Sequence, residues 1–143
     1  MFVGTFETTF EKGLYKLNIF DFFGQYTCNS ETELLQILNN RAKNNSNDFE
    51  LRHEGPYPYL AMLVNGDKAC VHYFLNVNDC GYYASIEDKG LNRDGFTIFH
   101  IGSEESGTQV WNRMVIPIEK ATIAATAFFH QSKMAPELFW YTL

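Results

Sequence analysis

VIPIEKATIAATAFFHQSKMAPELFW, residues 115–140, reads as an apolar strand, a sharply started amphipathic helix and a return to strand. Proline has no N–H to donate and its φ is fixed near the helical value, so Pro117 suits the first positions of a helix. Glu119 then sits in the first turn, facing the positive end of the helix dipole. From Ile118, the side chains of Ala121, Ala125 and Phe128 return at three- and four-residue steps. That spacing puts them on one face, which predicts burial.

Working outward, the chain ahead of this helix is mostly strand. Residues 14–23 open with Tyr15, Leu17 and Ile19 on one side and Lys16 and Asn18 on the other, which predicts a first strand. Ser30-Glu31-Thr32-Glu33 fits a capping box, and the helix it starts has Leu34, Leu35, Ile37 and Leu38 as its apolar face. The amide-rich run Asn39 to Asn47 suits a solvated turn. Strands are then predicted over 48–54, 58–65, 68–76, 81–86, 95–101 and 109–116. Asn65-Gly66 between two apolar runs signals a tight hairpin, and Tyr59 to Val64, apolar throughout, signals a central strand covered on both faces. Strands grouped together, with helices toward the ends, predict an α+β fold. The expected form is one domain over 1–143, with an antiparallel sheet of about six to eight strands and two main helices.

The same order of features resembles the first-numbered immunity family of bacterial polymorphic toxin systems, usually found beside deaminase-type toxins. The residues that carry the resemblance are Ile116-Pro117, Glu119, Ala121, Ala125, Phe128-Phe129, and Pro136 followed by Trp140. Upstream, Pro58 to Gly66 with Ala69 to Tyr73 is similar to the family's central hairpin, so the likeness spans most of residues 30–142. The chain departs from the pattern at Ser132-Lys133-Met134, where the family usually has a small residue. The resemblance implies a non-enzymatic inhibitor, without a cofactor, that binds a cognate toxin domain, most often a deaminase. Its motifs are scaffold residues and assign no working surface.

Composition agrees with a packed domain: 45% of residues are hydrophobic, and 13 Phe and 8 Tyr favour a sheet core over disorder. No apolar run approaches the ~18 residues of a membrane span, and Met1 to Gly4 lacks the basic region of a signal peptide, so a cytoplasmic location is expected. Cys28, Cys70 and Cys80 are odd in number and far apart, which predicts reduced thiols. Eleven basic against seventeen acidic residues give a formal charge of −6, which opposes direct binding of nucleic acid and favours a basic partner.

Signals for catalysis are weak. His53, His72, His100 and His130 fall on four different predicted elements without metal-ligand spacing, and no glycine-rich phosphate loop is present. Cys70 and His72 share a strand face, but no third group orients the pair. Surface recognition is better supported. Asp79, Tyr82 and Tyr83 with Glu87 and Asp88 form one acidic–aromatic group, and Glu104 and Glu105 leading to Trp111 form another. Carboxylates steer a basic partner, and Tyr and Trp give contact area with few rotors to freeze. Alternatively, Trp111 and Tyr82 are core-facing strand residues, since Tyr82 and Tyr83 must point to opposite faces. Two rival functions remain: a small-ligand or metal-dependent enzyme on the same sheet, with His72, His100 and Cys70 converging in space, and a homo-oligomeric interaction module.

Overall fold

The two helices begin where capping chemistry places them. In the computed structural model, which describes residues 16–87 and 93–143, helix α1 (Glu31–Leu38) starts at Ser30, whose Oγ accepts the Glu33 N–H at 3.2 Å. The Glu33 carboxylate folds back to accept the Asn29 N–H at 2.7 Å, one residue ahead of the cap itself. Leu34 and Leu38 are buried and Ile37 packs partly, but Leu35 is exposed, because the turn of the helix carries it off the core face. Helix α2 (Ile118–Gln131) starts immediately after Pro117 and buries Ala121, Ala124, Ala125, Phe128 and Phe129. It ends at Ser132, which adopts the left-handed conformation with φ 58° and returns its N–H to the Phe128 carbonyl at 2.8 Å. Serine thus fills the position that more often calls for glycine.

Ten strands complete the described fold: β1 (Leu17–Phe20), β2 (Gln25–Cys28), β3 (Ser46–Arg52), β4 (Tyr59–Asn65), β5 (Lys68–Phe74), β6 (Tyr82–Ser85), β7 (Phe96–His100), β8 (Gly107–Trp111), β9 (Val115–Pro117) and β10 (Phe139–Thr142). Eight form an antiparallel sheet in the order β10-β6-β5-β4-β3-β1-β2, with β9 paired to the start of β5. The remaining two, β7 and β8, form a separate hairpin. This is the α+β architecture that the sequence predicts, with β4 central.

Several local readings are corrected. In the first predicted strand, Leu14 and Tyr15 lie outside the described residues, and residues 16–23 are not one strand: β1 ends at Phe20, and Asp21 to Gly24 turn the chain into β2. The Asp21 carboxylate accepts the N–H groups of Phe23 (2.8 Å) and Gly24 (3.1 Å), and this holds the turn despite the apolar Phe22-Phe23 pair. Residues 109–116 likewise divide, with a 3₁₀ turn over Asn112–Met114 between β8 and β9. Asn112 makes the break by accepting the Thr97 hydroxyl at 2.6 Å and donating to the Asp94 carbonyl at 2.8 Å, which pins the hairpin's base. The tight turn after β4 is Gly66-Asp67, one residue later than expected. Asn65 still pairs with Lys68, and Gly66 alone has a positive φ, of 63°. The amide-rich connection is not wholly solvated, because Ser46 and Asn47 open β3 and are buried.

Both helices cover one face of the sheet. Leu17, Ile19, Phe49, Leu51, Leu60, Met62, Val64, Val71 and Ala84 meet Phe128 and Phe129 of α2 and Leu34 and Leu38 of α1 there. The opposite face has only a small core, in which Cys70, Phe99 and Val115 are buried with Leu63, Val110 and Met114 packed around them beneath the β7–β8 hairpin. Asn65 fastens that hairpin, its Nδ2 donating to the Ile98 carbonyl at 2.8 Å.

Candidate interaction surface

Strand alternation places charge on the face away from the helices. In β3, Phe49 and Leu51 point into the main core, so Asp48, Glu50 and Arg52 point the other way. Phe20 of β1 is registered opposite Glu50 and shares that face. Above these residues stand two turns, Asp21 to Gly24 and Ile101 to Ser106, and together they enclose a groove. Its larger part, about 260 Å³, is lined by Phe20, Asp21, Phe22, Asp48, Glu50 and Gly102. An adjoining part of about 220 Å³ is lined by Phe22, Phe23, Ala42 and residues Gly102 to Glu105.

Five carboxylates therefore line the two parts of the groove beside aromatic walls. Asp21 is held by its turn and by the Asn47 amide, which donates at 3.1 Å. Asp48 accepts the Gly102 N–H at 2.9 Å, which ties the hairpin's turn to the sheet. Burial pushes the Asp48 carboxyl above the usual carboxylate range, the Gly102 N–H opposes that rise, and the Glu50 charge adds to it. Glu50 is paired with Arg52, whose guanidinium lies 5.8 Å from the Phe20 ring centroid and 5.2 Å from that of Tyr59. Glu104 and Glu105 are exposed on the rim, where the Glu104 carbonyl accepts from the Asn44 amide at 3.0 Å, and Phe23 is 58% exposed.

The residues singled out from the sequence are not gathered into one patch. Glu104 and Glu105 belong to the groove. Trp111 is no core residue: it is 49% exposed at the opposite end of the same hairpin, facing Phe96 with ring centroids 4.9 Å apart. Tyr82 packs against the main core, whereas Tyr83 lies buried on the other face, opposite His72 and 5.6 Å from the Tyr141 ring. Asp79 accepts the Gly81 N–H at 3.3 Å, and the Glu87 carbonyl accepts the Tyr141 hydroxyl at 2.6 Å, both near the β6–β10 edge. Asp88 lies outside the described residues. Sequence reading missed Phe20, Asp21, Phe22, Phe23, Asp48 and Glu50. The signal for the β3 positions was there: charges at 48, 50 and 52 alternate with Phe49 and Leu51, which marks a charged face on an interior strand.

Cys70 and His72 do touch, Sγ to Nε2, at 3.4 Å. Burial pushes the Cys70 thiol up to about 12 and lowers the His72 imidazole, so both are held neutral, the reverse of an activated thiolate pair. His100 does not join them, since alternation puts it on the hairpin face opposite Phe99, which packs on Cys70. His53 bridges the Lys16 and Phe128 carbonyls at 2.9 Å each, and His130 pairs with Glu31 at 2.8 Å, joining α2 to α1. Among the described residues, no three His, Cys, Asp or Glu side chains are arranged to hold a metal ion, and no helix is long and apolar enough to cross a membrane.

No protein-family model and no curated protein matches this chain. The likeness to the immunity family therefore rests on the motifs in residues 58–73 and 116–140.

Proposed function

We propose that this chain is a non-enzymatic immunity protein of the cytoplasm that binds a cognate bacterial toxin one-to-one and blocks it, and that the toxin is a nucleic-acid deaminase. The toxin class comes from the family resemblance. The observation that carries the binding role is the groove that Asp21, Asp48, Glu50, Glu104 and Glu105 line beside Phe20, Phe22 and Phe23. A toxin that handles nucleic acid presents Lys and Arg to phosphates. A preformed acidic surface of matching shape attracts those same side chains and covers them. Inhibition is then occlusion of the substrate groove or active-site mouth and needs no chemistry from the inhibitor. The neutral Cys70–His72 pair supports the non-enzymatic reading, because burial disfavours the thiolate a nucleophile requires.

Coexpression and pull-down with the toxin domain encoded immediately upstream tests this. The expected result is a stable one-to-one complex in which deamination of nucleic acid is lost. A folded, active toxin that fails to bind at micromolar concentration sinks the proposal.

A further inference from the structure

We infer that the outward face of the β7–β8 hairpin is the centre of the toxin contact, and that the toxin meets it with an apolar patch ringed by Lys or Arg. This inference rests on the immunity reading and names the surface that would perform it. The hairpin stands apart from the eight-stranded sheet and pairs only with itself in the sheet topology. Its inward residues, Phe99 and Val110, pack on Leu63, Cys70 and Val115, and Asn65 bonds the Ile98 carbonyl, so it is fixed to the body. On the outward side, Phe96 is 48% exposed, Ile98 45% and Trp111 49%. Phe96 and Trp111 are direct cross-strand partners, and the Arg113 guanidinium lies 5.0 Å from the Trp111 ring centroid. A rigid, half-exposed Trp–Phe pair with an adjacent Arg has the composition of an interface hot spot.

Charge complementarity decides the occupant. The hairpin's turn carries exposed Glu104 and Glu105, and the groove beneath adds Asp21, Asp48 and Glu50. Two identical chains each carry a charge of −6 and repel one another overall, whereas a basic partner is attracted to this acidic rim. A five-residue strand spans about 17 Å. The hairpin face alone therefore covers only part of the roughly 800 Å² per partner of a standard interface, and the exposed Glu104 and Glu105 at its turn extend it as a polar rim.

The test measures binding of the same toxin domain to the full chain and to Trp111→Ala, Ile98→Lys and the double variant Glu104→Lys/Glu105→Lys, with Lys120→Ala, an exposed position of α2, as control. Wild type and Lys120→Ala should bind alike. Trp111→Ala and Ile98→Lys should weaken binding by about 30-fold or more, through faster dissociation. The Glu variant should slow association and flatten its salt dependence. Ile98→Lys leaves the Phe96–Trp111 pair intact, so it reads the surface even where Trp111→Ala loosens the hairpin, and thermal melts report that loosening separately. Wild-type binding that neither apolar variant changes overturns this surface and leaves the immunity reading in place. Absence of wild-type binding overturns both. Light scattering that shows a dimer abolished by Ile98→Lys assigns the face to a second copy and also overturns the proposal.

Discussion

Toward the helices, β4 presents Leu60, Met62 and Val64, all fully buried; toward the hairpin, the same strand presents Tyr59, Ala61, Leu63 and Asn65, all partly exposed. β3 shows the contrast more sharply, with Phe49 and Leu51 on one side and Asp48, Glu50 and Arg52 on the other. The helix side is a closed core in which each apolar side chain meets others. The hairpin side keeps charged groups half-buried, and its apolar cluster among the described residues is small, with Cys70, Phe99 and Val115 buried in it. The larger packed core lies on one face, and the opposite face presents charge and aromatic rings. That division is common at functional surfaces.

Truncating one buried phenylalanine on each face tests this division. Phe128 stacks on His53 at 5.4 Å and meets the Tyr73 ring edge-on at 6.2 Å, in the middle of the large core. Phe128→Ala should destabilise the chain by about 3–5 kcal/mol, read from urea unfolding. Phe99→Ala should have a smaller effect, about 2–3 kcal/mol, because its small cluster borders solvent and the hairpin can settle into the space left. Amide exchange should show β7 and β8 opening before the main sheet in the Phe99 variant. If Phe99→Ala matches or exceeds Phe128→Ala, the hairpin is an integral part of the core and the contrast between the faces fails.

The two faces were not equally legible in the sequence. The helix side followed from local chemistry: the Ser30 cap, the start at Pro117 and the Ala121–Ala125–Phe128 stripe each appear as expected, because helix starts and helix faces are set by neighbours in sequence. The hairpin side depends on contacts between distant segments. Asn47 looks like part of a polar turn, yet it is fully buried because its amide reaches Asp21 and the Asn40 carbonyl. The groove joins residues 20–23, 48–50 and 102–105, and these meet only because β1 pairs with β3 and the hairpin turn bonds Asp48. No local pattern encodes such a meeting. Glu104, Glu105 and Trp111 could be singled out as acidic and aromatic loop or strand residues, but not their placement at opposite ends of one hairpin. Tyr82 and Tyr83 illustrate the same limit: alternation separates them, and only strand order shows which one packs on the helix-side core.

The smallest expected effect is the most specific to this contrast. Burial raises the Asp48 carboxyl above its ordinary value of 3.8, so its contribution to stability is fully present below that pH and is lost as pH rises through the folded value. At neutral pH the charged Asp48 is therefore a net penalty on the folded state. An asparagine side chain in its place would keep an oxygen for the Gly102 N–H and remove the charge. Asp48→Asn should thus be more stable than wild type at pH 7, by about 0.5 kcal/mol, the scale of a mild single substitution. The advantage should shrink toward zero below pH 3.8. The same variant should associate more slowly with the toxin domain, since one of the five groove carboxylates is gone. Urea unfolding at pH 7 and pH 3, beside association rates at two salt concentrations, separates the possibilities. A variant that is more stable and slower to associate locates a stability-for-binding exchange at Asp48. One that is no more stable at pH 7 removes the stability penalty, and with it the case that this face gives up stability for charge.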